Sequence, residues 1–163
     1  VRVLAPLAAL GALAVLTACG SSGDDDTSAG SSADGDAPAA LDLSAGSTVV
    51  GLPEGLGAQP ADAAAGAART SDDTLIYVVT FGSSTCPSVA DTPATSTGAN
   101  AVEITFPEPG DGACTADYVP ATTVVALPDD VDPGEDLTVT VGTWGDVTLP
   151  AGSQDAVWVV ASE

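Results

Sequence analysis

From residue 75 to residue 81 the chain reads Leu-Ile-Tyr-Val-Val-Thr-Phe, and every residue after Leu75 is β-branched or aromatic. Such a run is too short for a buried helix and its side chains suit a pleated surface, so it predicts a strand. Successive strand side chains point to opposite faces. Leu75, Tyr77, Val79 and Phe81 therefore share one face, and Ile76 and Val78 the other. Both faces are apolar, so whatever fold the chain adopts must hold this strand centrally and cover it from both sides.

Other segments show cover on one side only. Val102, Ile104 and Phe106 alternate with Glu103 and Thr105, and Leu137, Val139 and Val141 alternate with Thr138 and Thr140, the period of half-buried strands. Residues 122–127 and 156–161 read as further strands, residues 47–50 as a short one, and residues 147–149 return against 137–141 across a turn at 142–145. Turn-forming residues fill positions 107–112 and 128–134. The expectation is a mostly β fold, an antiparallel sandwich or small barrel of six or seven strands, formed as a single domain by residues 41–163. Residues 60–69 depart from this pattern. They are rich in alanine and start with Pro60, which predicts a short helix. Tyr77, Phe81, Phe106, Trp144 and Trp158 are expected in or beside the core, with Trp144, placed at a turn, the aromatic candidate for binding.

Residues 3–18 carry no charge and are almost wholly Val, Leu and Ala. A bilayer-spanning helix needs about 20 apolar residues, and this run is shorter and contains Pro6, so it reads as the apolar part of a signal peptide covering residues 1–18. It ends in Leu16, Thr17, Ala18 and Cys19, which resemble the lipobox of bacterial lipoproteins. The resemblance implies diacylglycerol on Cys19, cleavage before it, and attachment through lipid to the extracytoplasmic face of the cell membrane. Residues 19–40 contain no aromatic or branched aliphatic side chain and cannot bury enough apolar surface to offset their ordering entropy. They are expected to form a flexible acidic linker with ends roughly 25 Å apart on average.

With Cys19 taken by lipid, Cys86 and Cys114 are the remaining thiols, and an exported chain is expected to join them as a disulfide. Ser83, Ser84, Thr85, Cys86 and Pro87, following Gly82, and Cys114, Thr115, Ala116, Asp117, Tyr118, Val119 and Pro120 resemble stretches of small exported lipoproteins of high-GC Gram-positive bacteria. That resemblance implies an address and a disulfide, and no reaction. Residues 82–87 read as a strand end turning into a staple, with a hydroxyl-rich binding loop as the alternative.

Beyond residue 18 a single base, Arg69, faces 23 acids, a formal charge of -22. Nucleic acid and anionic headgroups are repelled by such a field, so no nucleic-acid partner is expected. The chain also lacks His, Lys and Met, which removes Ser-His-Asp, Ser-Lys and Cys-His machinery as well as the usual copper and catalytic zinc ligand sets. Paired carboxylates remain as the one catalytic alternative, a glycoside hydrolase, but no spacing marks two of them and no catalytic residue is assigned. Asp129, Asp130, Asp132, Glu135 and Asp136 crowd one loop, where calcium is the alternative to a solvated turn. Pro133 interrupts that run, so no metal and no cofactor is assigned. The functional expectation is a membrane-anchored exported lipoprotein serving as a non-catalytic binding or envelope-associated module, with an envelope protein or polymer as partner. A carboxylate hydrolase and a calcium-stabilised interaction domain are the rivals.

Overall fold

The segment that demanded cover on both faces is the middle strand of a five-stranded sheet in the computed structural model, which describes residues 40–108 and 110–161. The expected signal peptide, Cys19 and the linker up to residue 39 lie outside the described residues. Among those residues every regular element is a strand: β1 (Thr48–Val50), β2 (Ala63–Arg69), β3 (Leu75–Gly82), β4 (Thr95–Gly98), β5 (Ala101–Ile104), β6 (Val119–Ala126), β7 (Leu137–Val141), β8 (Gly145–Leu149) and β9 (Val157–Val160). They form two sheets, ordered β1-β6-β3-β2-β9 and β4-β5-β7-β8, packed as a sandwich.

Between the sheets, Ile76 and Val78 of β3, Ala65 and Ala67 of β2 and Val125 of β6 meet Val102, Ile104, Leu137, Val139, Val141, Val147 and Leu149. Each Val, Leu or Ile fully buried there contributes about 1.5 to 3 kcal/mol. The opposite face of β3 is covered by chain rather than by a third sheet. Leu56, from the connection between β1 and β2, packs with Ala63, Ala68, Val79 and Phe81, and Leu52, Tyr77, Ala156 and Trp158 lie half-buried around them. Leu137–Val141 and Gly145–Leu149 pair antiparallel in the expected register, Leu137 opposite Leu149 and Val141 opposite Gly145.

Residues 60–69 correct the expectation of a helix. Residues Ala63–Arg69 form β2, hydrogen-bonded to β3 on one side and β9 on the other. Helix propensity separates alanine from ordinary residues by at most about 0.7 kcal/mol each, and an alanine helix would bury only methyl groups. As a strand the same residues complete two ladders, and their small size lets neighbours close in. A Cβ on Gly66 would lie 2.4 Å from Cε3 of Trp158, so the indole is pressed onto backbone that carries no side chain.

Two further features are finer than the alternation in the sequence. β4 is an edge strand of four exposed residues with no apolar side chain. β5 and β7 run parallel, Val102 opposite Val139, because β6 lies in the other sheet and the chain must cross over and return between them. Arg69 ends β2 and reaches across the open end of the sandwich, where Nε donates to the Pro150 carbonyl at 3.2 Å and Nη2 to the Glu135 carbonyl at 2.6 Å.

Candidate functional site

β3 and β6 pair along their whole length, with Gly82 opposite Val119 at the end of the ladder. The chain leaving β3 and the chain entering β6 therefore run side by side. Cys86 lies four residues beyond Gly82 and Cys114 five residues before Val119, and they form a disulfide with Cα atoms 5.5 Å apart. Hydroxyl groups reinforce the bond. Ser83 Oγ and Thr115 Oγ1 are 2.7 Å apart, the Thr115 N–H donates to Thr85 Oγ1 at 3.0 Å, and the Ser84 N–H donates to Asp117 Oδ1 at 3.1 Å, the same oxygen that accepts from Thr115 Oγ1. The hydroxyl of Ser84, that of Thr115 and the Ser84 backbone N–H hold the Asp117 carboxyl at about 2, well below the usual carboxylate range. These side chains hydrogen-bond one another, and the disulfide makes residues 82–87 a strand end that turns into a staple.

What the staple holds out is Tyr118. Its side chain is 68% exposed and its ring stacks on Phe81, with centroids 5.6 Å apart and planes 20° from parallel. Phe81 is 8% exposed and lies 6.1 Å from Trp158 at 47°, and Trp158 rests on Gly66. A row of three rings thus crosses the outer face of the five-stranded sheet from the entry of β6 to β9. One end of the row is open to solvent and the other is fixed to backbone.

Beside the same face is a depression of about 200 Å³ lined by residues that include Glu54, Leu56, Arg69, Thr70, Tyr77 and Gln154. Enclosed sites for small ligands commonly measure about 300 to 1,000 Å³. The depression is smaller than that range.

The other candidates are placed differently. Trp144 is half-buried and meets Phe106 edge-on, with centroids 4.9 Å apart and planes at 84°, against the core between the sheets. The carboxylates of the acidic loop turn to separate donors: Asp130 to the Ser96 hydroxyl, Asp132 to the Gly134 N–H, Glu135 to the Asn100 amide and Asp136 to the Ala151 N–H. Among the described residues no three acidic, Cys or His side chains converge as a metal-ligand group. Asp72 is held below the ordinary carboxylate range by the Thr74 hydroxyl and N–H in the β2–β3 turn. The shifts at Asp72 and Asp117 both oppose the raised pKa that a general acid needs.

Tyr118 and Arg69 were not among the candidates read from the sequence. The signal for Tyr118 was its place between a cysteine loop and a strand start, and that for Arg69 its being the sole base beyond residue 18. Fold and site together define a disulfide-stapled β-sandwich that presents an aromatic row. No family model, no curated protein and no solved structure matches the chain.

Proposed function

We propose that this chain is a lipid-anchored exported lipoprotein whose β-sandwich is a non-catalytic binding module at the extracytoplasmic face of the cell membrane. The observation that carries the binding half is Tyr118, a 68% exposed ring backed by Phe81 and set beside a disulfide. A large aromatic kept in solvent on a rigid mount suits an interface anchor, because it offers contact area and has little freedom left to lose. The anchoring half rests on the uncharged run at residues 3–18, on Leu16, Thr17, Ala18 and Cys19, and on the acidic linker at residues 19–40. Two or three acyl chains, at about 0.8 kcal/mol per buried methylene, hold a protein where one chain would not.

Two measurements test the halves separately. Cys19→Ser should abolish labelling by a fatty-acid analogue and leave the protein unprocessed or released to the medium. A Cys19→Ser protein that stays processed and membrane-bound would end the anchor reading. Hydroxyl-radical footprinting should oxidise Tyr118 readily in the purified protein and much less on whole cells, where a partner covers it. Equal oxidation in both settings would end the binding reading.

A further inference from the structure

We infer that the partner of the Tyr118 face is a basic polypeptide segment, with an arginine or lysine side chain laid on the open face of the Tyr118 ring. The inference rests on the binding reading above and adds the chemistry of the partner.

The ring geometry supplies the first argument. Phe81 lies against one face of Tyr118 at a near-parallel 20°, so the 68% exposure leaves the opposite face to solvent. An aromatic face is the negative pole of the ring quadrupole and attracts a cation placed over it. Charge supplies the second argument. Asp111 and Asp117 are exposed on the loop that leads into Tyr118. Beyond residue 18 the one base is Arg69, which is 8% exposed and donates to the Pro150 and Glu135 carbonyls. No other cation stands against an incoming one, and a chain of -22 steers basic partners toward itself.

The same charge sets the other occupants aside. A second copy of this chain would bring -22 against -22, and an anionic polymer or headgroup would meet the same field. A neutral saccharide could stack on the ring but would gain nothing from the charge around it. Asp117 adds a specific acceptor next to Tyr118 in the chain. Its Oδ1 accepts from the Ser84 N–H and from the Thr115 hydroxyl, which hold the carboxylate in place. Its depressed pKa keeps it ionised throughout the neutral range. The disulfide and the hydroxyl network fix this corner beforehand, which lowers the ordering cost of binding.

The test uses the full lipidated chain in neutral detergent and a fluorescent ten-residue Gly-Arg repeat peptide, read by anisotropy in about 0.15 M NaCl. A Gly-Glu repeat peptide and a soluble neutral glucan are the comparison probes. The Gly-Arg peptide should bind, Tyr118→Phe should retain it, and Tyr118→Ala should weaken it about five- to tenfold while the protein stays folded at the assay temperature. Asp117→Asn should weaken binding and flatten its salt dependence, whereas Asp155→Asn, an equal loss of charge on the β8–β9 connection, should have less effect on the affinity. Wild-type affinity in Tyr118→Ala would show that net charge alone holds the peptide, and would overturn the inference. So would Tyr118-dependent binding of the glucan, or no binding of the peptide. Because footprinting on cells reads cover of Tyr118 by any partner, it separates the loss of this inference from the loss of the binding reading.

Discussion

Replacing Arg69 by alanine should destabilise the domain by about 2 to 4 kcal/mol. Pro150 follows β8 and Glu135 precedes β7, so one side chain from the five-stranded sheet ties both ends of the β7–β8 hairpin in the facing sheet. A hydrogen bond from a charged donor contributes about 1.5 to 3 kcal/mol, which puts the ceiling for two at about 6 kcal/mol. Pro150 and Glu135 are exposed residues, and water can replace part of what their carbonyls lose, so the lower part of the range applies. Removing Arg69 from a chain of formal charge -21 also raises self-repulsion, but salt screens that contribution. Arg69→Lys separates the two causes. It keeps the charge and loses the planar fork that reaches two carbonyls at once, so it should lose about half of the alanine effect. Urea unfolding followed by circular dichroism in low and in 1 M NaCl measures both variants, and the alanine change should lower Tm by roughly 8 to 16 °C at about 4 °C per kcal/mol. A lysine variant as stable as the wild type, or an alanine loss that vanishes in 1 M NaCl, would show that charge and not geometry is responsible.

Changing both Cys86 and Cys114 to alanine opens a tie of sequence separation 28 and should cost about 3 to 4 kcal/mol in the chain-entropy account; a loss under about 1 kcal/mol would mean that the hydroxyl network holds the loops unaided. Gly66→Ala should cost about 1 to 3 kcal/mol by driving a methyl into the Trp158 ring, and its cost should shrink in a Trp158→Ala background; strict additivity of the two changes would contradict the contact. The folded-state pKa of Asp117, about 2, lies below the unfolded value of about 3.9, so its contribution is complete above about pH 4 and is lost as pH falls through 2. A carboxyl NMR titration with its midpoint at 3.9 or higher would refute this. Millimolar calcium should raise Tm no more than sodium chloride of equal ionic strength, since Asp130, Asp132, Glu135 and Asp136 turn to different donors. A calcium shift several degrees larger, abolished by Asp132→Asn with Glu135→Gln, would establish a metal site.

The strands that were legible are those whose burial differs between faces or is complete on both. Val102 and Ile104 of β5 are buried on either side of exposed Glu103, and Val139 of β7 lies between exposed Thr138 and half-buried Thr140, so period and environment coincide. β2 gave no such sign, because six of its seven residues are alanine or glycine and a methyl group fits a helix face or a pleated sheet equally well. What decides for the strand is the vacancy between β3 and β9 and the indole of Trp158 that must lie flat on Gly66, and both are set by residues far away in sequence. β4 is hidden for the opposite reason. An edge strand with four exposed polar or small residues is held by its backbone ladder to β5, and side-chain patterns carry no record of that ladder.

At the site, the disulfide was legible by counting, whereas Tyr118 was not, and register explains the difference. Tyr118 stands one residue outside the last paired position, Val119 opposite Gly82. Pro120, two residues on and so on the same face, lies opposite Phe81, which brings the Tyr118 ring over Phe81 from the end of the ladder. Gly82, one residue past Phe81, faces the other side of the sheet, and the Ser83 hydroxyl is turned to Thr115, so neither covers the ring. Gly82→Leu, in a backbone whose Cβ direction is open and faces away from the ring, should therefore leave the oxidation of Tyr118 by hydroxyl radicals unchanged and the fold intact. Reduced oxidation of Tyr118 in that variant would mean that the leucine reaches the ring and that the alternation of β3 breaks at its last residue.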